Sequence, residues 1–252
     1  MSFPKVALVT GAAHRLGRAM AIALAEDGYK LAVHYGTSKQ AADDLVHDII
    51  SQGGQAKAFQ ASLAVESQVE ALIPSIVDWA GLVGVLVNNA AVFERDEALT
   101  AKRSDWDFHM EINLRAPFVL SQQMALALPP TDKGVIVNLI DQRVWNLTPH
   151  FTTYTLSKAG LWTLTQTLAL ALAPRIRVAA IGPGPALPST RQTQTQFDQQ
   201  AARTPLKVAT SLEEIVTALR YILASPAYTG QMIALDGGQH LDWAPGDFSS
   251  VE

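Results

Sequence analysis

A tyrosine and a lysine stand four residues apart in Tyr154-Thr155-Leu156-Ser157-Lys158, where a long stretch of helical apolar spacing begins. Residues i and i+4 share a helix face, so the phenol and the ammonium point into one volume. Nearby positive charge favours the phenolate and lowers a tyrosine's pKa from its reference of ~10 toward working pH, which an acid/base catalyst requires. The same spacing also occurs on ordinary solvent-facing helices. Its place after the fifth strand of an alternating β/α chain is what favours catalysis.

A second cluster suits phosphate. Thr10-Gly11-Ala12-Ala13-His14-Arg15-Leu16-Gly17 follows the first apolar strand and opens the first helix. Gly11 allows a tight turn, and Gly17 lets the backbone approach both the sheet and a pyrophosphate resting on the helix N-terminus beside Leu16. The spacing departs from G-x-G-x-x-G, because five residues separate Gly11 and Gly17 and Arg15 occupies the place of a middle glycine. An arginine there cannot relieve backbone crowding, but its guanidinium can clamp a phosphate bidentately.

The second strand ends at His34-Tyr35-Gly36-Thr37-Ser38-Lys39, where His34 and Tyr35 are expected to meet the cofactor. Enzymes selective for NAD place an Asp or Glu near here for the ribose 2′-hydroxyl. None occurs between Tyr29 and Ala42. A 2′-phosphate would meet Thr37, Ser38 and Lys39 instead, two hydroxyls and a cation. NADP(H) is therefore expected over NAD(H).

These groups must be held by a regular frame. Strands are expected at Val6–Thr10, Leu31–Tyr35, Gln55–Gln60, Val83–Asn88, Val135–Ile140, Val178–Ile181 and Met232–Leu235. Helices are expected at Arg15–Gly28, Lys39–Ser51, Val65–Trp79, 103–128, 152–173 and 211–224. Strands without hydrophobic alternation, separated by helices, imply a parallel sheet covered on both faces. The fold expected is a single α/β domain over 1–252, a Rossmann-like doubly wound sheet of about seven strands. The segment Pro183–Gln200, rich in Pro, Thr and Gln, is read as a substrate loop reaching to about 204, either mobile over a site or a plain surface insertion.

Composition narrows the class. With 48% hydrophobic and 17% charged residues, the 252-residue chain should fold around a full core. A net charge of −4 without any basic block gives no reason to expect nucleic acid or an anionic membrane as partner. The lack of cysteine excludes disulfides, zinc–thiolate sites, iron–sulfur clusters and thiol nucleophiles, and is compatible with a reducing compartment. The six histidines are scattered without ligand-like pairing, so no metal is expected. Met1-Ser2-Phe3-Pro4-Lys5 lacks the regions of a signal peptide, and Leu161–Ala173 is too short and too polar to span a bilayer. A cytoplasmic protein is expected, which makes the sequon Asn146-Leu147-Thr148 accidental.

Taken together, the Thr10–Gly17 turn, Asn88-Asn89-Ala90, Asn113, Tyr154/Lys158, Pro183-Gly184 and Asp236-Gly237-Gly238 resemble the short-chain dehydrogenase/reductase family over about residues 5–240. The resemblance implies Tyr154 as proton donor, Lys158 holding the nicotinamide ribose and tuning Tyr154, and Asn113 positioning a water in a proton relay. It places Asn89 and Ala90 on the adenosine side, and Pro183 and Gly184 with the cofactor. Asparagine also suits strand ends and helix kinks by satisfying stray backbone groups, so a structural role stays open. The family suggests a homotetramer, for which the apolar helix Leu161–Ala173 offers surface; a wholly buried core helix is the alternative.

One departure is informative. The family usually carries a serine thirteen residues before the tyrosine, where this chain has Asp141. A hydroxyl donates to a carbonyl oxygen, whereas a carboxylate accepts from N–H groups and repels a developing oxyanion. Asp141 with Thr-Gly-Ala-Ala-x-Arg-Leu-Gly, His34-Tyr35 and Phe93 is similar to the pteridine reductases and dihydromonapterin reductases. That similarity implies a pterin ring between Phe93 and the nicotinamide, Arg15 near phosphate and pterin, and Asp141 assisting Tyr154. A flat heterocycle stacks well on an aromatic face. Ser62 stands where an Asp commonly meets the adenine, and Thr37 where an Arg is common, so 2′-phosphate binding leans on Ser38 and Lys39. Trp145, Gln142, Leu187 and Pro188 lie where substrate pockets form beyond the strands' C-terminal ends. The expected activity is NADPH-dependent reduction of a C=N bond in a dihydropterin. The alternatives are a carbonyl reductase of 3-oxoacyl or small ketone substrates and a catalytically silent dinucleotide-binding regulator.

Overall fold

The structure is a computed structural model that describes residues 3–188 and 192–242. Seven strands alternate with helices: β1 Val6–Val9, α1 Arg15–Glu26, β2 Lys30–Tyr35, α2 Lys39–Ser51, β3 Ala56–Gln60, α3 Glu66–Ala80, β4 Val85–Asn88, α4 Arg103–Met110, α5 Ala116–Ala127, β5 Gly134–Leu139, α6 Thr152–Ala171, β6 Ile176–Pro183, α7 Gln194–Arg203, α8 Leu212–Ala224 and β7 Met232–Leu235. They form one sheet in the order β3-β2-β1-β4-β5-β6-β7, and every pairing is parallel. The expected doubly wound α/β architecture is what the chain adopts.

Both faces of the sheet are buried because both sets of alternating side chains are apolar. Ala7 and Val9 of β1 face Met20, Leu24, Leu45 and Ile222 from α1, α2 and α8. Val6 and Leu8 face the opposite layer, with Leu72, Ile76, Leu120 and Leu168 from α3, α5 and α6. The chain reverses direction across the sheet between β1 and β4, and a crevice opens beyond the strands' C-terminal ends at such a switch point.

Three elements differ from expectation. The helix expected over 103–128 is interrupted by a π-helical turn, Glu111–Arg115. Pro117 has no N–H to give the carbonyl of Asn113, so the ordinary ladder cannot continue there. The segment expected as a loop over 183–204 contains α7, whose start is set by a capping box between Thr193 and Gln196. Residues 189–191 of that segment lie outside the described residues. The strand expected to stop at Ile181 continues to Pro183, paired with Leu235. Among the described residues, no helix is long and apolar enough to cross a membrane.

A buried polar chain pins α6 to the centre of the sheet. Asn88 Nδ2 donates to Asn138 Oδ1 (2.8 Å), Asn138 Nδ2 to Thr165 Oγ1 (2.8 Å), and Thr165 Oγ1 to the Leu161 carbonyl (2.8 Å). Asn138→Ala would leave the buried Asn88 Nδ2 without its acceptor and Thr165 Oγ1 without its donor. Loss of about 2–4 kcal/mol is expected, read as a lower urea midpoint at unchanged m-value.

Candidate active site

The crevice floor is built at the β1–α1 turn. Gly11 has φ of +61°, a conformation a side chain resists. A Cβ on Gly17 would lie 2.3 Å from the Gly11 carbonyl oxygen, so only glycine lets the helix close against the strand. Arg15 has φ of +52°: it takes the left-handed backbone of the glycine it replaces. Asn89 locks the turn from β4's end, donating from Nδ2 to the carbonyls of Thr10 (2.8 Å) and Gly11 (3.2 Å). Thr10 Oγ1 accepts from the backbone of Asn89 (2.9 Å) and Ala90 (3.0 Å). At the start of α1 no side chain caps the helix and no acid occupies its first turn. The backbone N–H groups around Leu16 thus suit a pyrophosphate.

His34 is not at the cofactor surface as expected but beneath the turn, with 2% exposure. Gly11 N–H donates to Nδ1 (3.1 Å), which places the hydrogen on Nε2, pointing at the Ala61 carbonyl (3.1 Å). Burial pushes its pKa down to about 4. At the ribose corner, Tyr35 is half-buried while Thr37 and Lys39 are exposed, and Lys39 pairs with Asp43. Ser38 precedes α2 as its capping residue without a side-chain bond. Ser62 N–H donates to Gln68 Oε1 (2.6 Å), so Gln68 shapes this end of β3.

The reacting end lies where β5 meets α6. Tyr154 Oη donates to Asp141 Oδ2 (2.9 Å), and Asp141 Oδ1 accepts from Arg143 N–H (2.8 Å), capping the short 3-10 turn Gln142–Val144. Lys158 is buried and donates from Nζ to the Leu139 carbonyl (2.7 Å). Its Nζ sits 5.9 Å from the Tyr154 ring centroid. Desolvation lowers the Lys158 pKa from 10.5 to about 8, and nearby Asp141 opposes that shift.

A cleft of about 300 Å³ opens above these groups, with Arg15, Leu16, Phe93, Asp141, Tyr154 and Lys158 among its walls. Asn89, Pro183, Gly184 and Leu187 also line it. A Cβ on Gly184 would lie 2.7 Å from Asp236 Cα, which explains the glycine there. Arg15 reaches across, donating from Nη1 to the Pro188 carbonyl (2.7 Å) and from Nη2 to that of Leu187 (3.0 Å). Phe93 stacks on Phe151 at 4.3 Å and meets Tyr154 edge-on at 4.6 Å.

Two expected residues are placed otherwise. Trp145 does not line the cleft; the 3-10 turn carries it outward, edge-on to Trp162 (6.0 Å) and His240 (5.3 Å). The Asn113 amide is spent on structure, with Oδ1 accepting from Val92 N–H (2.8 Å) and Nδ2 donating to Val92 O (3.0 Å) and Ser157 Oγ (3.0 Å). Both amide atoms of Asn113 are thus engaged by the protein itself. Arg143 and Phe151 escaped the sequence reading. Arg143 is buried, lines the cleft, and sits 5.8 Å from the Phe93 centroid and 5.1 Å from that of Phe151. Its place two residues past Asp141 is the signal that could have marked it.

The family model described as enoyl-(acyl carrier protein) reductase matches residues 11–240. The chain belongs to the short-chain dehydrogenase/reductase family. It is 34% identical over 239 residues to a 3-oxoacyl-[acyl-carrier-protein] reductase of Synechocystis sp., covering 93% of this chain and 96% of that one. A reductase of the same description from Staphylococcus epidermidis is 33% identical, with 94% and 99% covered. Among solved structures, FolM alternative dihydrofolate reductase 1 from Brucella suis in complex with NADP superposes with a TM-score of 0.92 at 45% identity, covering 96% and 97%. A blue fluorescent protein from a metagenomic library in complex with NADPH gives 0.87 at 30%, covering 93% and 97%. This family member is an oxidoreductase, and the NADP(H) expected from the β2 corner agrees with the cofactors in those complexes.

His34 makes the turn sensitive to acid. Its folded pKa is depressed to about 4 from 6.5, so in that window the unfolded chain binds a proton that the folded chain refuses. The stability it contributes is complete above pH 6.5 and is lost as pH falls toward 4. Urea titrations at about pH 7 and about pH 4.5 should show His34→Gln losing about 2–3 kcal/mol less than the unmodified chain.

Proposed function

We propose that this protein is an NADPH-dependent reductase of a pteridine, acting on a C=N bond of a dihydropterin. The observation that carries the reading is the 2.9 Å hydrogen bond from Tyr154 Oη to the Asp141 carboxylate inside a cleft walled by Phe93. The 45% identity to FolM alternative dihydrofolate reductase 1 supports it.

The residues present fit a dinucleotide. The uncapped start of α1 and the glycine-only contact of Gly17 with Gly11 leave backbone N–H groups for phosphates. Ser38 and Lys39 would take the 2′-phosphate, and Lys158 the nicotinamide ribose. When bound, the reduced cofactor supplies the hydride. Tyr154 supplies the proton to the substrate nitrogen. Asp141 does two things: it disfavours the phenolate before reaction, since two anions would then face each other, and it accepts from pterin amino and N–H groups. Lys158 offsets the negative charge left on Tyr154. Phe93, backed by Phe151, offers an aromatic wall to a flat ring.

Reduction of a 3-oxoacyl thioester is the second reading, favoured by the 33–34% identities to 3-oxoacyl reductases. Against it stands the chemistry at residue 141. A ketone reduced to an alkoxide needs a donor beside its oxygen, and a carboxylate is an acceptor. A cytoplasmic homotetramer belongs to the proposal too; Leu126, Leu156 and Leu170 on α5 and α6 are exposed and offer apolar surface for contact between copies.

Following NADPH oxidation with dihydrobiopterin, dihydromonapterin and acetoacetyl thioesters tests the reading. Turnover of the pterins is expected, with Asp141→Ser losing at least about 100-fold in kcat/KM on them. Activity confined to the thioester, or unchanged kinetics in Asp141→Ser, would sink it. The pH profile provides a second check. Lys158 loses its proton near pH 8, so log kcat/KM should bend downward above about pH 8, approaching a tenfold fall per unit.

A further inference from the structure

Two segments that carry opposite walls of the cleft meet at one buried histidine. The stretch after β4 bears Phe93 and continues through Glu94 to Asp96; α6 begins with Thr153 beside Tyr154. His109 of α4 lies between them, fully buried.

The chemistry of the contacts fixes the direction of every hydrogen. Glu94 N–H donates to His109 Nε2 (3.1 Å), and a backbone amide can only donate, so the ring hydrogen must sit on Nδ1. Nδ1 lies 2.7 Å from Thr153 Oγ1 and 3.0 Å from the Asp105 carbonyl, which share that hydrogen. The Thr153 hydroxyl keeps its own hydrogen for the Asp96 carboxylate, with which it makes a close hydrogen bond. Asp96 also accepts from Thr153 N–H (3.2 and 3.3 Å), while its carbonyl accepts from Phe151 N–H (2.8 Å). Asp96 thereby caps α6 from another segment, since Phe151 at the cap position makes no side-chain cap bond. Burial pushes the His109 pKa down and keeps the ring neutral, as this polarity demands.

The chain begins at the residue after Phe93 and ends on the residue before Tyr154. The Tyr154 ring lies edge-on to both Phe93 and His109, with centroids 4.6 Å and 6.0 Å away. We propose that His109, Thr153 and Asp96 are positioning residues that set the separation between the aromatic wall at Phe93 and the hydroxyl of Tyr154. This rests on the reading of Tyr154 as proton donor but not on the identity of the substrate. The cofactor turn lies on other elements and Lys158 has its own anchor on the Leu139 carbonyl, so the clamp acts on turnover and leaves dinucleotide affinity alone.

Paired variants test it, with Tyr154→Phe as the reference. Thr153→Val is isosteric and removes only the hydroxyl, while Thr153→Ser keeps it. His109→Leu removes both ring nitrogens, while His109→Gln offers an acceptor and a donor. The readouts are kcat with whichever substrate is reduced and the NADPH Kd from quenching of protein fluorescence. Thr153→Val and His109→Leu should lose at least about tenfold in kcat with NADPH Kd within about twofold, and Ser and Gln should recover most of it. The proposal fails if Thr153→Val keeps its kcat while Tyr154→Phe loses it, if Ser is no better than Val, or if NADPH affinity falls alongside kcat. Full activity in Tyr154→Phe would instead remove the proton-donor reading on which the clamp depends.

Discussion

The hydrogen bond between the Tyr154 hydroxyl and the Asp141 carboxylate joins the end of β5 to the first turn of α6. Much else in the molecule serves to keep those two ends in register. Lys158, one turn further along α6, anchors to the Leu139 carbonyl on the same strand end. Below it, Asn138 binds Thr165, so α6 is tied to β5 at three successive levels. Placing an ammonium in a buried site is costly, which is why the Lys158 pKa drops. The adjacent Asp141 returns part of that cost, and the carbonyl of Leu139 supplies a further partner.

A parallel sheet makes such a site possible. Its strands all end on one side, so loops from β1, β2, β4, β5 and β6 converge there. Backbone groups at those ends lose their ladder partners, and side chains take them up: Thr10 for Asn89 and Ala90, Asn89 for Thr10 and Gly11, His34 for Gly11 and Ala61. The polar residues at the crevice floor are therefore structural first. Their satisfied contacts leave the N-terminus of α1 open toward the cleft, where a phosphate can reach it.

The residue type at position 141 decides whether this end of the cleft donates or accepts. A hydroxyl at this position would donate, while Asp141 accepts from both Tyr154 and the Arg143 backbone. With one carboxylate oxygen committed to the turn and the other to the phenol, the carboxylate cannot swing away without cost. It faces the cleft as a fixed acceptor beside a donor. In the reaction proposed, that pairing serves a ring bearing N–H groups with a nitrogen to be protonated.

The strands, most helices, the Gly11–Gly17 turn and the Tyr154/Lys158 pair were legible in the sequence, because period and spacing act locally. Apolar runs bounded by turns imply buried strands whatever surrounds them, and i,i+4 residues on a helix share a face. The family resemblance added Asp141 as a departure, again from spacing alone. Other roles depended on which segments meet. His34 reads as a cofactor residue until the turn is seen to close over it, and Asn113 as a catalytic amide until Val92 and Ser157 occupy it. Trp145 reads as a pocket wall until the 3-10 turn directs it away. Phe151, His109 and Asp96 carry no local signature, since their partners lie on other elements. Sequence determined the kind of chemistry by setting residue types at short range; tertiary structure alone decided which polar groups remain for a ligand, because hydrogen-bond partners are shared out only when distant segments pack.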